Sequence, residues 1–150
     1  MPVRPPVTSA LYYEDVAAAL DFLESAFGLE TNLRVTDEKG AVVHAEMSHK
    51  DGRIMLGPGG WSEFAKSPKT LGGANTQNIH LQVEDVAAHC AQARQAGAKI
   101  VAEPSDQFYG DRIYRALDGE GHHWTFSQHI RDVSTEEMNA ATGLIVDMKP

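Results

Sequence analysis

Val16, Ala19, Leu20, Leu23 and Phe27 recur at three- and four-residue steps, the spacing of one helical face, and predict an amphipathic helix over 16–27. Asp15 stands where an N-cap carboxylate accepts orphan amide protons, and Gly28 where a left-handed stop is needed. A second stripe, Val86, Cys90 and Ala93, predicts a helix over 86–96, with Asp85 before it and Gly97 after it. Ahead of that helix Ile79, Leu81 and Val83 alternate with Asn78, His80 and Gln82. Period two predicts a strand with one face on a helix and a polar face turned away. In the preceding half, 7–13 has the same place, with Thr8, Ala10 and Tyr12 on the face matching the polar row. Further strands are predicted at 30–36, 41–48 and 52–57, and at 98–102, 112–117 and 123–128, separated by polar turns ending in glycine. The turn before 112 lies in a loop holding Pro104 and Gly110.

The chain repeats. At an offset of 70, Leu11, Glu14, Asp15, Val16, Ala17, Ala18 and Ala26 fall on Leu81, Glu84, Asp85, Val86, Ala87, Ala88 and Ala96. The expected fold class is α+β: duplicated βαβββ modules forming one curved mixed sheet with helices on its convex side. One domain over 1–150 would hold a first module at about 5–57, a linker at about 58–76, a second module at about 77–128 and a tail at about 129–150. In the tail, Ser134 and Glu137 form a capping box that opens a short helix ending near Gly143. A single module leaves an unclosed sheet edge, so modules must pair within or between chains, and a homodimer is expected.

Composition narrows the partners. Thirteen basic against twenty-one acidic residues give a formal charge of −8, and no basic block tracks a phosphate backbone, so nucleic acid is not an expected partner. No apolar run approaches the roughly 20 residues that span a bilayer, and the opening residues carry no apolar signal core. A single cysteine cannot staple a fold, which leads to the expectation of a cytoplasmic protein held by packing. Cys90 lies on the apolar stripe and reads as a small buried residue rather than a reactive thiol.

Tyr109, Gly110, Asp111 and Arg112, followed after one strand by Asp118, Gly121, His122 and Trp124, resemble the signature of the vicinal oxygen chelate superfamily, in its PhnB-like and bleomycin-resistance-like branch. That superfamily includes glyoxalase I, ring-cleaving dioxygenases and bleomycin resistance proteins. Gly119 stands where the pattern usually has proline. The resemblance implies that metal-dependent members hold one divalent ion on the concave face, with one ligand from the first and one from the last strand of each module. These positions fall on Thr8, Met55, Asn78 and Thr125. A hydroxyl, a thioether and an amide do not replace imidazoles and carboxylates, so no metal and no other cofactor is expected.

The function expected from the resemblance is a metal-free protein that binds an antibiotic-like or aromatic small molecule on the concave face. Asn78, His80 and Gln82 would orient the ligand, and Trp61, Phe64, Tyr109 or Trp124 would supply apolar contact. Arg112 offers a fork to an anionic ligand, or pins the 103–111 loop; His122 contacts ligand, or ties down its turn. The alternative is a divalent-metal-dependent lyase, isomerase or dioxygenase with a site rebuilt from His44, Glu46, His80, His122 or His123. A third reading is a dimeric scaffold whose cleft its own side chains fill. His49, His89 and His129 read as surface or flanking residues. No phosphate loop or nucleophile elbow is present in the sequence, and no catalytic residue is assigned.

Overall fold

The computed structural model describes residues 4–150. Its first half runs β1 (Ser9–Tyr13), α1 (Val16–Phe27), β2 (Glu30–Thr36), β3 (Val42–His49) and β4 (Gly52–Pro58). A linker carrying one short 3-10 turn (Pro68–Leu71) leads to β5 (Asn78–Gln82), α2 (Val86–Gln95), β6 (Lys99–Asp106), β7 (Asp111–Leu117), β8 (His123–His129) and α3 (Thr135–Thr142). The order βαβββ therefore occurs twice. Both caps form as the sequence predicts: Asp15 accepts from the Ala18 amide and Asp85 from the Ala88 amide, each at 3.0 Å. Gly28 closes α1 at φ 73°. Only half of the capping box forms at α3. Ser134 accepts from the Glu137 amide, while the Glu137 carboxylate takes Arg131 instead.

Each half builds its own four-stranded sheet, ordered β1-β4-β3-β2 and β5-β8-β7-β6. In both, the first strand runs parallel to the last and the other neighbours are antiparallel. The surface expected as one mixed sheet is thus two ladders meeting at β1 and β5. Side chains occupy the carbonyls that a shared ladder would use: His122 Nε2 donates to Tyr12 O at 2.8 Å and His49 Nε2 to Gln82 O at 2.6 Å. Strand β6 is longer than the predicted 98–102 and runs through Pro104 with two register shifts. It is an edge strand, where proline's missing donor faces no partner.

Leu11, Tyr13, Met47 and Leu56 of the first sheet, with Tyr114, Trp124 and Phe126 of the second, form one buried core with Leu23, Phe27, Val86 and Cys90 of the helices. Phe27 closes the gap between halves, its ring centroid 5.3 Å from that of Trp124 and 4.8 Å from that of Phe126. Fully burying such side chains stabilises by about 1.5–3 kcal/mol each. Burial also pushes the Cys90 thiol up, as suits a packing residue. His89 corrects its expected place. It is half-buried on α2, and because Phe27 O can only accept, Nε2 is its donor at 2.9 Å. Nδ1 then accepts from the Tyr114 hydroxyl at 2.5 Å. Among the described residues no helix is long and apolar enough to cross a membrane.

Candidate functional site

Alternation along β1 sends Leu11 and Tyr13 into the core and leaves Ala10 and Tyr12 on the face away from α1. A cavity of about 590 Å³ lies there, between β1 and the linker, walled by Ala10, Tyr12, Phe64, Pro68, Leu71 and His122 among others. This is within the range of small-molecule pockets. Trp61 and Phe64 extend from the linker, 61% and 68% exposed. Their rings meet each other at 5.1 Å and meet Tyr12 at 5.8 and 5.9 Å, all edge to face. Three large rings thus spend their contacts on one another rather than in the core, two of them, Tyr12 and Phe64, on the cavity wall.

The polar row of β5 does not act as one group. Asn78, His80 and Gln82 are all exposed on the strand. His80 lines a second cavity, about 350 Å³, with His49, Arg53 and Asn78 at the seam between the halves. Asn78 also lines a third, about 430 Å³, with Arg115, His123 and Thr125. The side chain of Gln82 lines none of these, and its carbonyl is taken by His49.

The motif residues have another task. Asp118 is buried and accepts four hydrogen bonds: from the Tyr13 hydroxyl at 2.7 Å, Trp124 Nε1 at 3.0 Å, the His122 amide at 3.0 Å and the Glu120 amide at 3.1 Å. Burial, then the neighbouring Asp118 charge, raises the Tyr13 phenol well above its ordinary value and keeps it a donor. Trp124 is wholly buried in this cluster, so the ligand contact expected of it is not available. His122 is buried too and packs on Tyr13 at 4.5 Å between centroids, though one side of it still lines the 590 Å³ cavity. The alternative in which it ties down its turn describes its bonds.

Arg112 likewise departs from the ligand role. Its guanidinium is engaged by Asp106 through Nε at 2.6 Å and Nη2 at 3.1 Å, so it pins the β6–β7 hairpin. Tyr109 sits at that hairpin's turn against Phe108, away from the aromatic cavity. Gly110 between them is a backbone necessity. It has φ +96°, and a Cβ there would lie 2.1 Å from Arg131 O. The structure therefore brings together Phe64, Trp61 and His122 of the expected site, adds Tyr12, and separates Tyr109, Arg112 and Trp124 from it.

A family model for the Glyoxalase/Bleomycin resistance protein/Dioxygenase superfamily matches residues 7–126. The chain belongs to this superfamily. Uncharacterized protein Mb0911c of Mycobacterium bovis is 35% identical over 142 residues, covering 93% of each chain. The crystal structure of TioX from Micromonospora sp. ML1 superposes with a TM-score of 0.68 at 28% identity, over 85% of this chain and all of the other. TnmS3, an antibiotic binding protein from Streptomyces sp. CB03234, has the same fold at a TM-score of 0.65 and 18% identity, over 86% of this chain and 98% of its own.

The four positions at which the superfamily resemblance puts a metal do not fit one in this chain. The Thr125 hydroxyl donates to Asn78 Oδ1 at 2.8 Å, so two of the four satisfy each other, and Thr8 and Met55 bring neither charge nor imidazole. Glu46 is buried and held by Arg53 Nη1 at 3.0 Å, with His44 at 3.5 Å. His80 makes no hydrogen bond or ion pair with either among the described residues. Among the described residues no three of His, Cys, Asp and Glu converge as a metal would require.

Proposed function

We propose that the protein binds a flat, aromatic or antibiotic-like small molecule on the open face of β1 without the aid of a metal. The observation that carries this reading is the ring cluster in which Tyr12 and Phe64 line the 590 Å³ cavity and Trp61 packs on both. Exposed rings in edge-to-face contact present apolar area that a planar ligand can cover, at about 0.5–1.5 kcal/mol per aromatic pair beyond the area itself. That TnmS3 is described as an antibiotic binding protein supports the ligand class. Met55, Thr8, Asn78 and Thr125 support the metal-free part by their chemistry. No observation favours the metal-dependent lyase, isomerase or dioxygenase over it, since Glu46 is already paired.

The reading includes a cytoplasmic homodimer. Strand β2 is an edge whose Leu33 and Val35 are exposed beside Val43, the kind of surface a second copy can cover. The single free cysteine is buried, as suits a reducing compartment. Titration with planar polycyclic antibiotics, followed by tryptophan emission, tests the binding. Trp61 is exposed and Trp124 buried, so a bound ring should quench the Trp61 component, and Tyr12→Ala should weaken binding about tenfold. No quenching by any planar ligand, or a stoichiometric metal in protein purified without an affinity tag, would overturn the reading.

A further inference from the structure

His122 is only 5% exposed, and it uses just one of its two ring nitrogens. Because Tyr12 O can only accept, Nε2 is the donor of the 2.8 Å bond at the joint, and the neutral ring then carries a lone pair on Nδ1. Among the described residues no side chain or amide donates to that nitrogen. Yet it is not sealed. The one buried side-chain nitrogen or oxygen among them that has neither a partner nor accessible surface is Asn75 Nδ2. The space His122 borders is the 590 Å³ cavity, whose wall it shares with Tyr12, Phe64, Pro68 and Leu71. An acceptor in so buried a ring calls for a donor.

The molecule holds a completed version of the same arrangement. His89 donates from Nε2 to Phe27 O at 2.9 Å, and its Nδ1 accepts from the Tyr114 hydroxyl at 2.5 Å. Phe126 packs on both rings, its centroid 4.5 Å from that of His89 and 4.7 Å from that of Tyr114. Carbonyl, imidazole and phenol thus form one chain inside aromatic walls. At His122 the protein supplies the carbonyl, the imidazole and the aromatic walls, but no hydroxyl of its own.

We propose that His122 Nδ1 is the polar anchor of this cavity and accepts from a hydroxyl carried on the ring of the bound molecule. The ligand class is then a hydroxyarene, rather than a bare or O-alkylated ring, with its face covered by Tyr12 and Phe64. Glu63, a charged rival for that hydroxyl on the same cavity, is held by Lys66 at 3.2 Å. For the ring the inference rests on the proposed aromatic binding; the hydroxyl receptor stands on His122 and its likeness to His89.

Calorimetric titration with 2-naphthol and with 2-methoxynaphthalene, which cannot donate, should show the naphthol binding about tenfold tighter, the worth of one hydrogen bond to a buried acceptor. His122→Gln can still give Tyr12 O an amide donor but has no atom in place of Nδ1, and it should bring the two compounds to equal affinity. A second readout uses the wild-type protein and does not depend on that variant's folding. In nitrogen-resolved spectra of the imidazoles, 2-naphthol and ring-free trifluoroethanol should each move the His122 Nδ1 resonance toward that of His89, and the methyl ether should not. If trifluoroethanol moves it while neither naphthyl compound binds, the hydroxyl receptor stands and the aromatic reading fails. Equal affinities in the wild-type protein mean that water serves His122; they overturn the receptor and leave the aromatic reading intact. A naphthol preference that persists in His122→Gln, or an Nδ1 that answers to no hydroxyl, also overturns it.

Discussion

The two places where the halves join are built on one plan and furnished differently. At each, a residue near the end of the module's first strand, Tyr12 of β1 or its repeat partner Gln82 of β5, offers its carbonyl to a histidine of the opposite half. At the β1 end that histidine is buried and belongs to a network. Asp118 gathers Tyr13, Trp124 and two amides, and Glu120 accepts from the Glu14 and Asp15 amides at 2.7 and 3.0 Å and from Ser67 at 2.6 Å. At the β5 end His49 is half-buried beside an open cavity. The carbonyl acceptors are repeat partners while the donors are not, His49 ending β3 and His122 preceding β8, and burial decides how much each joint is worth. The same hydrogen bond is costly to lose where water cannot replace it and cheap where water can.

The sharpest way to break that contrast is at Asp118. Asp118→Ala leaves a buried hydroxyl, an indole N–H and two amides without their acceptor, and should cost about 3–5 kcal/mol in chemical denaturation. A loss below about 1 kcal/mol would mean that the network is not structural. Next in size, His122→Ala should cost about 2 kcal/mol and His49→Ala less than about 1 kcal/mol. Equal losses would erase the difference between the joints. Smaller again, and symmetric by design, Asp15→Ala and Asp85→Ala should each cost about 1 kcal/mol, since both carboxylates make the same cap at the same distance.

The smallest effect lies in the pH profile. Burial, opposed by its bond to Phe27 O, holds His89 below its ordinary value of 6.5, so the unfolded chain binds the proton more readily. Stability from this group is therefore full above the ordinary value and is lost as pH falls below it. His129 is the opposite case. Its hydrogen bonds to Asp111 and then Asp132 raise it, so its contribution is present below the ordinary value and fades as pH rises through the raised one. Melting temperatures between pH 5 and pH 8 should show a flatter acid limb in His89→Gln and a steeper one in His129→Gln. Unchanged slopes in both variants would refute the assignment.

Much of the architecture was legible because it depends on near neighbours in the chain. Stripes at helical spacing, the aspartates ahead of them and the glycines behind them act over a few residues, so both modules, their helices and their caps can be read without coordinates. The linker rings Trp61 and Phe64 were legible as a question, being large apolar groups in a stretch rich in glycine. The tertiary structure alone decided their answer, because Tyr12 lies some fifty residues earlier and reaches them only across the folded face. It also settled that Asp118, His122 and Trp124 lock the joint, that Arg112 spends its fork on Asp106, and that His122 keeps one ring nitrogen with nothing to hold among the described residues. Whether a polar group is satisfied depends on partners brought together by the whole fold, and no local pattern records it.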